Sequence, residues 1–200
     1  MELGLIKSNA KDYGIPIIRS ESHKILEKIV SENQPKHILE IGTAVGYSGI
    51  LMLKSAKSAS LITIEHNKSF AREARQNFKK EKVSKRAKII VNDCMIEVAK
   101  MVASKQYDGY FDMIFLDGPK AQYELILDNL LMLLAADGTI VADNVLFRGY
   151  VSGEENAPTK RYKTIIKRLN NFIDKCKNHP DLKNFKLIKI EDGMIQANKR

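Results

Sequence analysis

The segment 37–53, HILEIGTAVGYSGILML, constrains the fold more than any other part of the chain. A short apolar run leads into three glycines, Gly42, Gly46 and Gly49, and an apolar segment with helical spacing follows. This order is typical of a strand, a tight glycine turn and a helix. Glycines let the backbone approach a ligand closely, and the first turn of a helix offers unpaired amide groups. We therefore predict a nucleotide-sized pocket at the carboxyl end of a strand, with a β-α turn that binds nothing as the alternative.

An acidic residue at the end of the next apolar run supports a nucleoside ligand. Residues 61–65, LITIE, have the β-branched content of a strand, and Glu65 closes it. A carboxylate about 20 residues beyond a glycine turn can accept hydrogen bonds from both ribose hydroxyls. The G-x-x-x-G spacing differs from the G-x-G-x-x-G of dinucleotide folds, so we expect a ligand other than a pyrophosphate. A solvated glutamate at a strand end is the alternative for Glu65.

Three later apolar runs also end on acidic or amide side chains. These predicted strands cover 87–93, 111–117 and 138–144, and their last residues include Asp93, Asp117, Asp143 and Asn144. The carboxyl ends of parallel strands form the edge where an open α/β sheet binds its ligand. We therefore expect these side chains at that edge, although Asp93 could instead cap a helix and the Asp-Asn pair could form a turn.

The alternation of strands and helices predicts an α/β fold. Near the end of the chain two apolar segments flank Asp192-Gly193, a dipeptide favoured by tight hairpins. We predict a seven-stranded, mostly parallel sheet with helices on both faces and a C-terminal antiparallel hairpin. With 44% hydrophobic residues, the 200-residue chain suits one domain over residues 1–200.

Several expectations follow from what the sequence lacks. No run approaches the roughly 18 apolar residues of a membrane span, so we expect a cytoplasmic protein without membrane contact. Cys94 and Cys176 have no metal-ligand spacing, and we expect both to be reduced thiols.

The glycine segment resembles the first motif of class I S-adenosylmethionine-dependent methyltransferases, which matches EIGTAVGYS at 40–48. Three further segments resemble the cation-dependent catechol and caffeoyl-CoA O-methyltransferases: FLDGPKAQY at 115–123, ADNVLFRGYV at 142–151 and EDG at 191–193. The resemblance implies a Rossmann-like class I methyltransferase fold and S-adenosylmethionine as cofactor. It implies cofactor contacts from Ile18, Glu40, Gly42, Tyr47, Ser48, Glu65, Asp93, Cys94 and Asp117. Its usual Gly-Asp-Ala is Asn-Asp-Cys here, at 92–94.

The same resemblance implies a divalent cation. Two carboxylates and one amide oxygen, from Asp117, Asp143 and Asn144, suit Mg²⁺ or another hard divalent cation, which takes oxygen ligands. The remaining positions of such an ion could take two adjacent substrate oxygens and lower the pKa of the hydroxyl to be methylated. Asp117 and Lys120 are the predicted catalytic residues. Lys120 matches the loop lysine of the family and would take the hydroxyl proton, with a solvated lysine as the alternative.

The positive charge is unevenly distributed. Residues 148–200 carry 13 Lys and Arg against 6 Asp and Glu, and residues 1–147 carry 20 against 18. This C-terminal basic face, which includes Arg148, Lys160, Arg161 and Lys163, could attract the phosphates of tRNA, although solvated lysines are the commoner explanation. A long glycine-containing loop, 146–159, lies where a lid or substrate loop would be.

The substrate and the assembly are the least constrained predictions. The 117–123 segment also resembles bacterial relatives that methylate 5-hydroxyuridine in tRNA, which we favour narrowly over a small catechol-like phenol. A non-catalytic RNA-binding protein is the alternative from another functional class, although no RNP-type aromatic motif is present. The resemblance further implies a homodimer, with the N-terminal segment as a plausible contact.

Overall fold

A computed structural model describes residues 18–147, 149–151, 153 and 159–200. Half of the loop predicted at 146–159, including Arg148, lies outside the described residues, as does the side chain of Arg161. Two compact units are present, one reaching Glu97 and the other starting at Val98. The single domain over residues 1–200 stays a prediction.

The first unit begins with a helix and continues with parallel strands that alternate with helices. Strand β2 pairs with both β1 and β3 in parallel. Apolar side chains such as Leu26, Ile38, Ile41 and Phe78 are almost completely buried and form its core. The elements are α1 (Ser20–Asn33), β1 (His37–Ile41), α2 (Tyr47–Ser55), β2 (Ser60–Glu65), α3 (Lys68–Lys80), a 3₁₀ turn (Ser84–Arg86), β3 (Ala87–Val91) and α4 (Cys94–Ser104), which runs on into the second unit.

Among its described residues, the second unit has four strands and two helices besides the end of α4. Strand β4 pairs with β5 in parallel, whereas β7 is antiparallel to both β5 and β6. Phe111, Phe115, Leu127 and Phe172 are buried in its core. The elements are β4 (Phe111–Leu116), a 3₁₀ turn (Lys120–Gln122), α5 (Tyr123–Leu133), β5 (Leu134–Asp143), α6 (Lys160–Asn178), β6 (Leu182–Ile188) and β7 (Met194–Lys199).

The strands form one seven-stranded sheet in the order β3-β2-β1-β4-β5-β7-β6. This order confirms the predicted α/β fold with a mostly parallel sheet and an antiparallel C-terminal pair. Within the described residues, no helix is long and apolar enough to cross a membrane.

Several strand boundaries differ from the sequence prediction. Strand β3 ends at Val91 because the next residues begin to cap α4. Strand β5 begins at Leu134, four residues before the predicted start at 138, and Asp137 and Gly138 lie at a register shift opposite Phe111 to Met113. The loop between β6 and β7 spans 189–193 and is longer than the predicted two-residue hairpin.

Candidate active site

The glycine turn between β1 and α2 requires backbone conformations that other residues adopt at a cost. Gly42 and Gly46 have φ angles of 98° and 85°, in the region that glycine reaches without strain. A Cβ atom on Gly46 would lie 2.7 Å from Cε1 of Phe78, so α3 also packs directly against this turn. The predicted strand, glycine turn and helix are therefore present in the first unit.

A buried carboxylate network lies beneath this turn. Glu40 is completely buried, and its two carboxylate oxygens accept hydrogen bonds from Ser48 Oγ at 2.5 Å and Thr63 Oγ1 at 2.6 Å. Thr63 Oγ1 is also 2.5 Å from Thr43 Oγ1, which belongs to the turn. Because buried polar groups are costly unless they are hydrogen-bonded, this network fixes the turn relative to β1 and β2. The predicted cofactor contacts of Glu40 and Ser48 stay predictions.

Glu65 closes β2, as predicted, and also holds the glycine turn. Its Oε2 accepts a hydrogen bond from the Ala44 amide at 2.9 Å, and its Oε1 accepts one from the Asn67 amide at 2.8 Å. Ala44 has a positive φ of 43°, so the carboxylate stabilises a strained part of the turn. Each carboxylate oxygen has a second lone pair, which leaves acceptor capacity for ribose hydroxyls.

Two further predicted cofactor residues, Tyr47 and Ile18, are buried. The Tyr47 hydroxyl lies 2.8 Å from Nδ1 of His23 on α1, and the two rings are 5.5 Å apart. Burial, and then the charge of Glu27, raise the pKa of Tyr47, so it stays protonated at neutral pH. Ile18 is 2% exposed. Its neighbour Ile17, which the resemblance implies also lies close to the cofactor, is outside the described residues.

Asp93 and Cys94 lie at the start of α4. Asp93 Oδ1 accepts hydrogen bonds from the amides of Met95 at 2.8 Å and Ile96 at 3.3 Å, so this carboxylate caps the helix. Burial and the neighbouring Asp93 charge raise the pKa of the Cys94 thiol to about 11. Cys94 is therefore a protonated, unreactive thiol at neutral pH. Cys94 and Cys176 are both buried free thiols.

In the second unit, Asp117 and Lys120 form a close ion pair. Lys120 Nζ lies 2.9 Å from Asp117 Oδ1, and both side chains are about one-fifth exposed, at 18% and 20%. Lys120 Nζ also lies 5.5 Å from the centre of the Tyr123 ring. Asp117 directly follows β4, and Lys120 begins the 3₁₀ turn after it, so two adjacent elements set the geometry of this pair.

Lys120 is protonated in this arrangement. Burial alone would lower its pKa, but Tyr123, Asp117 and Asp143 raise it well above its ordinary value. Asp117 and Asp143, predicted as metal ligands, thus act together on one ammonium group. A lysine with a raised pKa stays protonated at neutral pH and cannot accept another proton, whereas a bound cation on the same carboxylates would remove much of the negative charge that raises this pKa.

Asp143 and Asn144 end β5, where the backbone reverses. Asp143 is completely buried, and its Oδ1 accepts a hydrogen bond from the Asn144 amide at 2.9 Å. Asn144 has a positive φ of 61°. The following amides, Val145 and Leu146, donate to the carbonyls of Gly193 and Asp192 at 3.1 and 2.7 Å. The terminal EDG motif therefore fixes the backbone directly after Asn144.

The donor set of Asp117, Asp143 and Asn144 fits a hard divalent cation. It offers two carboxylates and one amide oxygen; Asp117 contacts the Lys120 ammonium, and the charge of Asp143 also raises the pKa of that lysine. Within the part of the chain that the structure describes, no three or more His, Cys, Asp or Glu side chains converge. A metal in this cluster would therefore need the Asn144 amide as its third protein ligand.

Some contributing residues are not predicted from the sequence. Thr43 and Thr63 belong to the network under Glu40, and His23 binds the Tyr47 hydroxyl. The buried Tyr123 hydroxyl donates to the carbonyl of Leu116 at 3.0 Å and lies 3.4 Å from the Asp143 carbonyl, so it links the ends of β4 and β5. A threonine in each of two adjoining segments and a tyrosine in an apolar helix are weak signals, because such residues also occur as ordinary packing.

A family model described as O-methyltransferase matches residues 4–200. Among curated proteins, a catechol O-methyltransferase of Niastella koreensis is 32% identical over 146 residues, which cover 72% of this chain and 65% of that protein. The chain thus spans slightly less than two thirds of the length of this relative.

Solved structures are also similar to the chain. A Staphylococcus aureus protein classed as a caffeoyl-CoA O-methyltransferase has a TM-score of 0.89 at 24% identity, covering 100% of this chain and 93% of that one. A methyltransferase of Podospora anserina, crystallised with S-adenosylhomocysteine, has a TM-score of 0.77 at 26% identity and covers 92% and 80% of the two chains. The first likeness concerns the fold alone.

Proposed function

Because the chain belongs to the O-methyltransferase family, we propose that it transfers a methyl group from S-adenosylmethionine to a hydroxyl that has a second oxygen beside it. The observation that carries this proposal is the cluster of Asp117, Lys120 and Asp143, in which two carboxylates at adjacent strand ends act on one amine from the following turn. A purely structural ion pair would not need a second, fully buried carboxylate acting on the same lysine.

The first unit would bind the cofactor, which supplies the methyl group. The glycine turn leaves room for close backbone approach, and Glu65 would accept the ribose hydroxyls with the lone pairs that Ala44 and Asn67 do not use. Asp93 and Cys94 would contact the adenine from the start of α4. The Glu40 network would keep the turn in its binding conformation, so little reorganisation would accompany binding.

The second unit would position the acceptor and accept its proton. Asp117, Asp143 and Asn144 would hold Mg²⁺ or another divalent cation, which would orient two acceptor oxygens and lower the pKa of the hydroxyl. The divalent cation and the positively charged cofactor would lower the pKa of Lys120. Its neutral Nζ would then take the hydroxyl proton. Asp117 would orient Lys120 through their 2.9 Å contact.

For the acceptor, we propose 5-hydroxyuridine in tRNA. Its hydroxyl and neighbouring carbonyl present two adjacent oxygens, and the net charge of +9 favours a polyanionic substrate. The C-terminal basic face would contribute to this attraction. The second candidate is a small catechol-like phenol, which the name of the Niastella koreensis relative favours.

The test is a methyl-transfer assay with labelled S-adenosylmethionine and Mg²⁺. Separate samples receive hydroxyuridine-containing tRNA, matched tRNA without the hydroxyl, or a panel of catechols. Label entering only the hydroxylated tRNA supports the first candidate, and label entering catechols alone supports the second. No transfer to any acceptor, together with no heat on titration with S-adenosylhomocysteine, would leave the non-catalytic RNA-binding alternative and refute the proposal.

We also propose that the chain forms a homodimer. The predicted contact, the N-terminal segment, is described from residue 18 onward and includes α1. Light scattering at micromolar concentration is expected to give twice the 22.6 kDa mass of the chain. A monomeric mass under the same conditions would contradict this.

A further inference from the structure

A basic groove lies on the first unit, between the first turns of α3 and the end of β3. It has a volume of about 540 Å³ and is lined by Lys68, Ser69, Arg72, Arg75 and Val91. Strand β3 is the last strand of the sheet, so only one of its edges is paired within it. Val91 lies opposite Glu65 in the β2–β3 register, and Lys68 follows Glu65 by three positions. The groove therefore adjoins the predicted ribose-binding residue of the same unit.

The cations of the groove continue as a row along α3. Lys68, Arg72, Arg75 and Lys79 recur at intervals of four, three and four residues, and all four are exposed. Residues with this spacing lie on one face of a helix, and eleven residues correspond to about 16 Å along its axis. A linear row of positive charge of this length suits a chain of several phosphates better than a single small anion.

Within the described residues, no acidic side chain pairs with the cations of the groove. Segment 66–92 contains nine Lys and Arg against two Asp and Glu, a net charge of +7. One of the two acids, Glu81, is buried and pairs with Lys54 outside this segment. Across the ranges that the structure describes, none of the ion pairs involves Lys68, Arg72 or Arg75. Their charge is therefore available to a ligand.

The C-terminal basic face differs in this respect. Lys175 pairs with Asp128 at 2.6 Å, and Lys183 pairs with Asp137 at 2.5 Å. Three more of its cations donate hydrogen bonds to backbone carbonyls of the second unit, namely Arg168, Lys199 and Arg200. These cations of the C-terminal basic face thus stabilise the fold. The net charge of residues 148–200 is nevertheless +7, the same as that of segment 66–92.

We propose that the groove of Lys68, Arg72 and Arg75 binds the sugar-phosphate backbone of an RNA substrate. This inference rests on the proposed function, because it assumes that the methyl acceptor belongs to an RNA chain. A neutral phenol would gain nothing from three available cations, whereas each phosphate contact releases counterions and strengthens RNA binding. Two arginines can also form paired hydrogen bonds with phosphate oxygens. The groove would position the RNA strand and leave the choice of base to other contacts.

The experiment compares two double variants with the parent protein. Arg72→Gln with Arg75→Gln removes two charges from the groove, and Lys28→Gln with Lys57→Gln removes two exposed charges elsewhere on the same unit. Binding of a fluorescent tRNA anticodon stem-loop is followed by anisotropy over a range of salt concentrations. Calorimetry with S-adenosylhomocysteine and methyl transfer to a catechol are measured on the same samples.

The groove variant is expected to bind the stem-loop more weakly. The slope of log K against log salt should decrease in magnitude by about 1.4, since each single-strand phosphate contact contributes about 0.7. The control variant should keep the parental slope, and both variants should keep the parental affinity for S-adenosylhomocysteine. Any catechol methylation by the parent should also persist in both.

Three outcomes would overturn the proposal: an unchanged slope in the groove variant, an equal loss in the control, or weaker S-adenosylhomocysteine binding caused by the groove substitutions. The last would mean that the groove belongs to the cofactor site. Failure of the parent to methylate any acceptor would refute the proposed function instead. The two failures can be distinguished because the anisotropy measurement requires no methyl transfer.

Discussion

The acidic residues of the two units are satisfied in different ways. In the first unit, Glu40 and Glu65 accept hydrogen bonds mainly from hydroxyls and backbone amides, and these bonds fix the glycine turn. In the second unit, Asp117 and Asp143 act on the ammonium of Lys120. The first arrangement fixes the backbone of a turn, whereas the second concentrates charge on one lysine. We therefore expect substitutions in the first unit to affect cofactor affinity and those in the second to affect the chemical step.

A large effect on kcat is expected at Lys120. Lys120→Met and Lys120→Arg should both lower kcat by about 10²- to 10⁴-fold, the usual contribution of a general base. Arginine keeps the positive charge beside Asp117 but cannot lose its proton near neutral pH. Steady-state kinetics with saturating cofactor measure the loss. Full activity of the arginine variant would show that the charge of Lys120 matters and its proton transfer does not.

A smaller effect is expected at Glu65. Glu65→Gln keeps the size of the side chain but removes the charge that would strengthen hydrogen bonds from the ribose. We expect roughly tenfold weaker binding of S-adenosylhomocysteine and little change in kcat at saturating cofactor. Calorimetry measures the affinity, with Glu73→Gln on α3 as the matched control. An unchanged affinity in Glu65→Gln would contradict ribose binding by this residue.

A third effect is expected on stability, at the loop that supports Asn144. A Cβ atom on Gly193 would overlap the side chain of Leu146, and Gly193 has a φ of 75°. We expect Gly193→Ala to lower the free energy of unfolding by about 2–4 kcal/mol, through backbone strain and overpacking together. Urea unfolding of the variant and the parent measures this difference.

The control for this prediction is Gly109→Ala. Gly109 also has a positive φ, 59°, but a Cβ atom there would meet nothing within 4 Å. Gly109→Ala should therefore lower the free energy of unfolding through backbone strain alone, by about 1–2 kcal/mol. Equal destabilisation by the two substitutions would mean that the Leu146 contact does not hold the loop.

Local sequence signals predicted the order of the elements well, because apolar periodicity and glycine spacing report on short stretches of backbone. The glycine turn, the acidic strand ends and the antiparallel C-terminal pair are examples. The Asp192-Gly193 dipeptide was correctly assigned to a reversal between strands. The length of that loop was wrong, because its carbonyls accept hydrogen bonds from Val145 and Leu146, more than 40 positions earlier.

The candidate site is less predictable for the same reason. The motifs identified Glu40, Glu65 and Asp117, but not what each of them contacts. The Ala44 amide at Glu65, the hydroxyls at Glu40 and the combined effect of Asp117 and Asp143 on Lys120 depend on residues that only the fold brings together. A raised pKa for Lys120 is likewise a property of that cluster and cannot be read from one segment.

The most direct test of the difference between the two units uses Asp143→Asn, which keeps the shape of a buried side chain and removes its charge. Methyl transfer and S-adenosylhomocysteine binding are measured on the same sample, with and without EDTA, beside the surface control Asp128→Asn. We predict that Asp143→Asn and EDTA each abolish methyl transfer, that excess Mg²⁺ restores only the EDTA-treated parent, and that cofactor affinity stays at the parental value throughout. Full methyl transfer by Asp143→Asn, or by the parent in EDTA, would contradict the account.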